Sequence, residues 1–174
     1  KGDWNSAAEE YSYFLTDKDI PLESKIRIGS AYFSQSLSDS TLTQTTKKFF
    51  ETIDSDTTDW QVKMFLGAIA LNEKNDSAAI KYFKQVTELA NWNVEGWIRL
   101  GGLYFDNQKY KEAVKLMNEA IVQFPDDFAV NLILGLSLAQ DNNHNDAIGH
   151  LKKSVELNPN DINALSAYAY TLNQ

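Results

Sequence analysis

Apolar residues return along this chain in short stripes separated by polar turns, and the stripes themselves return at a fixed interval. In the run from Trp97 to Tyr104, Trp97, Leu100 and Tyr104 fall three and four residues apart, so they share one face of a helix. Val114, Met117, Ala120 and Ile121 form a second stripe with the same spacing, which predicts a second helix after a short polar turn. The pair Leu100-Gly101 recurs as Leu66-Gly67 and as Leu134-Gly135, each a step of 34 residues. Ala113 recurs as Ala79 and Ala147 at that step, and Pro125 recurs as Pro159. Three independent marks with one period predict a helical repeat, in which a lone unit cannot bury both of its stripes and stacked neighbours do. Gly101 and Ala113 are small where the two helix backbones approach, because a larger side chain would hold them apart.

The unit with Trp97, Leu100, Gly101, Tyr104, Ala113, Met117, Ala120 and Pro125 resembles the tetratricopeptide repeat pattern, with Met117 where that family usually has Phe. The resemblance implies an all-α superhelix of about ten antiparallel helices and no β-sheet. It divides the chain into a half-repeat 1–21, repeats 22–59, 60–93, 94–127 and 128–161, and a half-repeat 162–174. Within repeat 60–93, Leu66, Gly67, Ala79 and Phe83 follow the pattern, with Asn91 where Pro is usual; in repeat 128–161 Leu134, Gly135, Leu138, Ala147, Leu151 and Pro159 follow it. Repeat 22–59 is degenerate. Ile28-Gly29 and Tyr32-Phe33 mirror Leu100-Gly101 and Tyr104-Phe105, and a second helix from Leu42 to Ile53 aligns if the turn before it holds about four extra residues, with Thr45 in the small-residue place.

Gly2-Asp3-Trp4, Ala7 and Tyr11 read as a second helix without its first, and Leu165, Tyr168, Ala169 and Leu172 as a first helix without its second. Lys1 in place of Met points to a chain cut from something longer. The uncovered ends, with Trp4, Tyr11 and Phe14 on one side and Leu165, Tyr168 and Leu172 on the other, then predict self-association. Asp126-Asp127, Asn93 and Asp161 stand where the next helix begins and can cap its amides.

Composition narrows the function. There are 24 Asp plus Glu against 16 Lys plus Arg, a net charge of −8, with no basic run longer than Lys47-Lys48 or Lys152-Lys153. That sign argues against nucleic acid, which is bound through clustered cations, and against an anionic membrane surface. The stretch Phe128–Ala139 is too short to insert in a bilayer. With no cysteine, thiolate metal sites and disulfides are excluded. His144 lies in a polar turn and His150 on the expected outer face of the following helix; Asp146 and His150 are one turn apart, but nothing else converges on them. The adjacent carboxylates Glu9-Glu10 do not face each other on a helix. No catalytic group, metal site or cofactor is expected, so the chain reads as a non-enzyme.

The resemblance places the first helices along a concave surface. The positions pointing away from the second helices are Ile26, Arg27, Ser30 and Phe33; Met64, Phe65, Ala68 and Leu71; Ile98, Arg99, Gly102 and Phe105; and Leu132, Ile133, Leu136 and Ala139. Nine of these are the expected partner-binding groove: Arg27, Phe33, Met64, Phe65, Leu71, Ile98, Arg99, Phe105 and Ile133. A subgroup of the family holds the carboxylate tails of heat-shock chaperones with Lys, Asn and Arg; Ile26, Ser30 and Phe65 stand where that clamp needs polar or cationic groups, which argues against it. An apolar groove suits a protein or peptide partner, an amphipathic helix or extended hydrophobic segment, with Arg27 and Arg99 meeting its acidic groups. Inter-repeat packing uses the same helices, so the alternative is that a neighbouring repeat covers these residues. A scaffold or adaptor is thus expected first. A substrate-recruiting arm of a larger enzyme and a self-assembly module are the competing functions.

Overall fold

The computed structural model describes residues 4–174; Gly2 and Asp3 lie outside them. Ten α-helices and no β-strand occur among the described residues, together with one 3-10 turn, Ser40–Leu42. They form two compact units, Lys1–Leu89 and Ala90–Gln174.

The first unit holds α1 (Trp4–Thr16), α2 (Leu22–Ser36), α3 (Thr43–Asp56), α4 (Trp60–Asn72) and α5 (Asp76–Leu89). Its core gathers Tyr11 and Leu15 of α1, Tyr32 of α2, Phe49, Phe50 and Ile53 of α3, and Val62, Leu66 and Ile69 of α4. α1 is fastened by aromatic rings. Trp4 meets Tyr32 edge-on at 5.0 Å, Tyr11 stacks on Tyr32 at 5.9 Å, and both tyrosines are met edge-on by Phe49. The Tyr32 hydroxyl donates to the Trp4 carbonyl and the Tyr11 hydroxyl to the Lys25 carbonyl. Burial holds the Tyr11 phenol well above the ordinary tyrosine range. This corrects the expectation of an open leading end, since Tyr11 is buried and only Phe14 of the three aromatics is substantially exposed. Ala7 is exposed as well; the half-buried residue of that turn is Ala8.

The second unit holds α6 (Val94–Asp106), α7 (Tyr110–Gln123), α8 (Phe128–Gln140), α9 (His144–Leu157) and α10 (Ile162–Thr171). Trp97, Met117, Ala120, Val130, Leu134, Leu138, Ala147 and Leu151 form its core.

One contact recurs inside the units and explains the small residues. A Cβ added to Gly67 would lie 2.6 Å from the Phe83 ring, one at Gly101 2.5 Å from the Met117 methyl carbon, and one at Gly135 2.7 Å from Leu151. The first helix is therefore glycine where the second helix presents its largest core side chain. Gly29 meets Phe50 in the same way, at 2.9 Å. Gly29 and Phe50 are 21 residues apart and the later pairs 16, so the degenerate turn holds five extra residues and not four. The small-residue place accordingly falls on Thr46, fully buried with its hydroxyl donated to the Leu42 carbonyl, and not on half-buried Thr45. The helix itself starts at Thr43 and runs to Asp56, later at both ends than the apolar stripe suggested.

Caps repeat as well. Asp59, Asn93, Asp127 and Asp161 each accept an amide of the following helix's first turn, at 2.7, 3.2, 2.9 and 2.8 Å. Asp126 does not cap; its carboxylate pairs with the Lys153 ammonium at 2.7 Å. Behind α4, α6 and α8 the chain turns through a left-handed residue, Lys74, Gln108 and Asn142, with φ of 57°, 57° and 63°. The next amide then reaches back to a carbonyl five residues earlier: Asn75 to Ala70, Lys109 to Tyr104 and Asn143 to Leu138, each at 2.8 Å. Three-residue turns closed in this way send the second helix back against the first.

Candidate functional site

Each unit carries an apolar face on its first helices. In the first unit Phe33 of α2 and Phe65 of α4 meet at 5.3 Å, inclined at 66°, and Phe65 stacks on Phe50 of α3 at 4.6 Å. Phe65 is thus anchored in the core on one side. It is half-buried, and Met64 and Leu71 on the same helix are half-buried as well. Arg27 is exposed. Ile26 is not part of this face. It is 7% exposed and belongs to the core that holds Tyr11 and Leu15 of α1.

In the second unit Ile98, Leu132, Ile133, Leu136 and Ala139 are half-buried, packed by one side against the core of α6 to α9. Phe105 lies against Tyr110 at 5.5 Å, at the turn between α6 and α7. The Arg99 guanidinium pairs with the Glu95 carboxylate one helical turn earlier, Nε to oxygen 2.8 Å, so this arginine is held along its own helix. Gly101 and Gly102 are neighbours with opposite surroundings. A Cβ on Gly101 would strike Met117, whereas one on Gly102 would meet nothing within 4 Å. The α6 backbone at Gly102, between Ile98 and Phe105, therefore looks onto open space.

The nine expected groove residues divide between two faces, Arg27, Phe33, Met64, Phe65 and Leu71 in the first unit and Ile98, Arg99, Phe105 and Ile133 in the second. All except Arg27 are half-buried; Phe33, Phe65, Ile98 and Ile133 are packed on one side against a core, and Phe105 against Tyr110.

The histidines form no reactive constellation. His144 opens α9. His150 is not on an outer face; it is half-buried with Nδ1 3.4 Å from the Asn131 Oδ1. Burial lowers its pKa and the nearby Asp146 opposes that shift. The Asp146 carboxylate accepts from the Asn143 amide at 2.7 Å. Among the described residues no cluster of three or more His, Asp or Glu could hold a metal, and no helix is long and apolar enough to cross a membrane.

Sequence reasoning missed the polar ties. The Lys63 ammonium, 7% exposed as a residue, sits 2.7 Å from the Asp54 carboxylate. Glu73 accepts from Lys47 and Gln44, both at 2.7 Å, joining α3 to the end of α4. Lysines at apolar-stripe spacing were the available signal, because a stem can pack while its head finds a partner.

Two tetratricopeptide repeat family models match the chain, one over residues 98–162 and one over 61–91, together more than half of its length. The chain is a tetratricopeptide repeat protein. Its curated relative Superkiller protein 3 of Schizosaccharomyces pombe is 32% identical over 69 residues, 40% of this chain and only 5% of that protein's length. Among solved structures, MamA 41-end from Desulfovibrio magneticus RS-1 has a TM-score of 0.73 at 18% identity, covering 84% of this chain and 83% of that one. The Arabidopsis OM64 TPR domain scores 0.62 at 14% identity, over 66% and 95% of the two chains. Cut9 in the APC/C hetero-tetramer Cut9-Hcn1 scores 0.68 at 19% identity, over 87% of this chain and 30% of that one. These structures share the all-helical fold. The tetratricopeptide fold supports a protein–protein interaction scaffold.

Proposed function

We propose that this tetratricopeptide repeat protein is a non-catalytic scaffold that takes an amphipathic helix or an extended hydrophobic segment of a protein partner on the apolar faces of its first helices. The observation that carries this reading is the open space before Gly102, flanked by half-buried Ile98 and Phe105. Large apolar and arginine groups with one side already packed lose little side-chain freedom on binding, which is why such residues dominate interface energy. In the first unit the Phe33–Phe65 pair, propped on Phe50, has the same quality. Arg27 and Arg99 would meet acidic groups flanking the partner's apolar residues. A photo-crosslinking residue at Phe105 should capture the partner, and the same residue at Lys115, exposed on α7, should not. Capture from Lys115 alone would place the partner elsewhere.

A second reading, self-association, is supported by α10. Leu165 is 42% and Leu172 53% exposed, and Ala169 stands one 34-residue step after Gly135, where the earlier units receive a second helix. Sedimentation should then show a concentration-dependent dimer that Leu165→Glu disperses. A wild-type chain that stays monomeric at its highest soluble concentration would end this reading.

A further inference from the structure

Two lysines in the first unit occupy the same place relative to the helix glycine, and they differ in what they find there. Lys63 precedes Gly67 by four residues and Lys25 precedes Gly29 by four. Both residues are 7% exposed. Lys63 meets a carboxylate, with Asp54 2.7 Å from its ammonium. The Lys25 ammonium donates to the Leu15 carbonyl at 2.8 Å and has no carboxylate within ion-pair distance among the described residues. An ammonium has three donors, so two remain. A buried charge is costly unless it is paired, and one carbonyl at the end of α1 offsets only part of that cost.

Instead of a carboxylate, Lys25 faces a cavity of about 300 Å³ between the end of α1, the start of α2 and the end of α3. Leu15, Ile20 and Ile53 give it apolar walls, and Leu15 and Ile53 are each only 2% exposed. Exposed Lys18 adds a second ammonium at the rim and Thr57 a hydroxyl donor, while Asp56 supplies one negative charge. Two cations against one anion favour a ligand with a single negative charge. The Asp56 carboxylate disfavours a dianion, and the apolar walls disfavour a small hydrated ion.

We propose that this cavity binds a free small alkanoate, with its carboxylate on the Lys25 ammonium, where Asp54 serves Lys63, and its alkyl chain against Leu15, Ile20 and Ile53. Lys18 and the Thr57 hydroxyl take the second carboxylate oxygen. The site lies in the first unit and is independent of the Phe105 face, so either can fail without the other.

The test titrates the ¹⁵N-labelled full chain with hexanoate, hexanol and hexylammonium at matched ionic strength and neutral pH. Hexanoate should shift amides around residues 15–25 and 53–57 saturably and bind at least about tenfold more tightly than hexanol, because the charged form makes the stronger hydrogen bonds. Hexylammonium should shift none of them. Lys25→Met should abolish the preference for hexanoate, and Lys18→Gln should weaken hexanoate about two- to threefold. If Lys25→Met lowers helicity, the wild-type preference and its response to Lys18→Gln still decide. Equal binding of hexanol, shifts centred elsewhere, or no saturable change would overturn the proposal. Tighter binding of acetyl-Gly-Leu than of hexanoate would overturn the assignment to a free alkanoate.

Discussion

Gly101 faces Met117 so closely that a single added carbon would lie 2.5 Å from the methionine methyl, while the adjacent Gly102 has nothing within 4 Å. The two glycines therefore predict opposite effects for one substitution. Gly102→Ala should stabilise by about 0.5–1 kcal/mol, since alanine is the better helix former. Gly101→Ala should gain less or lose, because Met117 must move, though methionine adapts readily. Gly135→Ala should be the costliest, about 1–3 kcal/mol, because its new carbon would also stand 3.1 Å from the Leu151 backbone nitrogen. Denaturant midpoints of the three variants check this order.

The left-handed turns carry a second prediction. Gln108 has φ of 57° without being glycine, a conformation that costs a residue with a Cβ about 1–2 kcal/mol. Gln108→Gly should therefore stabilise by about 0.5–1 kcal/mol after the entropic penalty of glycine is counted. Asn142→Gly should gain less, since asparagine tolerates this region. Thermal unfolding of both variants reads the difference.

Helix starts and their caps were legible in the sequence at Asn93, Asp127 and Asp161, which stand 34 residues apart just before an apolar stripe; Asp59, one step earlier in the same series, was missed. The left-handed turns were not, because Lys74, Gln108 and Asn142 give no glycine signal. The degenerate unit was misread by one residue. Thr45 and Thr46 are the same residue type, and only the contact between Gly29 and Phe50 fixes which of them turns inward. Ile26 has the apolar character of a groove residue, and its burial depends on α1 lying in the same core, a contact between distant residues that periodicity cannot reveal. Lys25 was invisible for a related reason, since a lysine on a helix reads as solvated until the helix beside it is placed.

Acid should loosen the first unit. The Lys47 ammonium holds the Glu73 carboxyl below its ordinary value; burial opposes this next most strongly, and the Gln44 amide lowers it further by less. A carboxyl depressed in the folded state contributes stability that is present above its unfolded pKa and lost as pH falls through the folded one. Glu73→Gln should thus cost about 0.5–1 kcal/mol at neutral pH, as partly exposed pairs do, and should flatten the loss of stability below about pH 4.5. Urea melts across that range check both effects; an unchanged acid limb would mean that other carboxyls set it.

Close packing of the second helices has its own signature. Ala113 and Ala147 are fully buried, whereas Ala129 is half-buried. Ala113→Leu and Ala147→Leu should each cost about 1–3 kcal/mol or more, and Ala129→Leu much less. Thermal denaturation that ranked them in the reverse order would contradict the packing of each first helix on its second.

The central claim, that the apolar faces of the first helices hold a protein partner, is tested most directly by partner affinity in the double variant Arg99→Ala, Phe105→Ala, measured beside its helicity. Both side chains are half-buried at the α6 face, so truncating them should leave the circular dichroism of the chain unchanged. The account predicts that affinity falls by at least about 100-fold, the loss expected when two central interface residues are removed. An unchanged affinity in a fully helical double variant would contradict it and move the binding surface to the second helices or the turns.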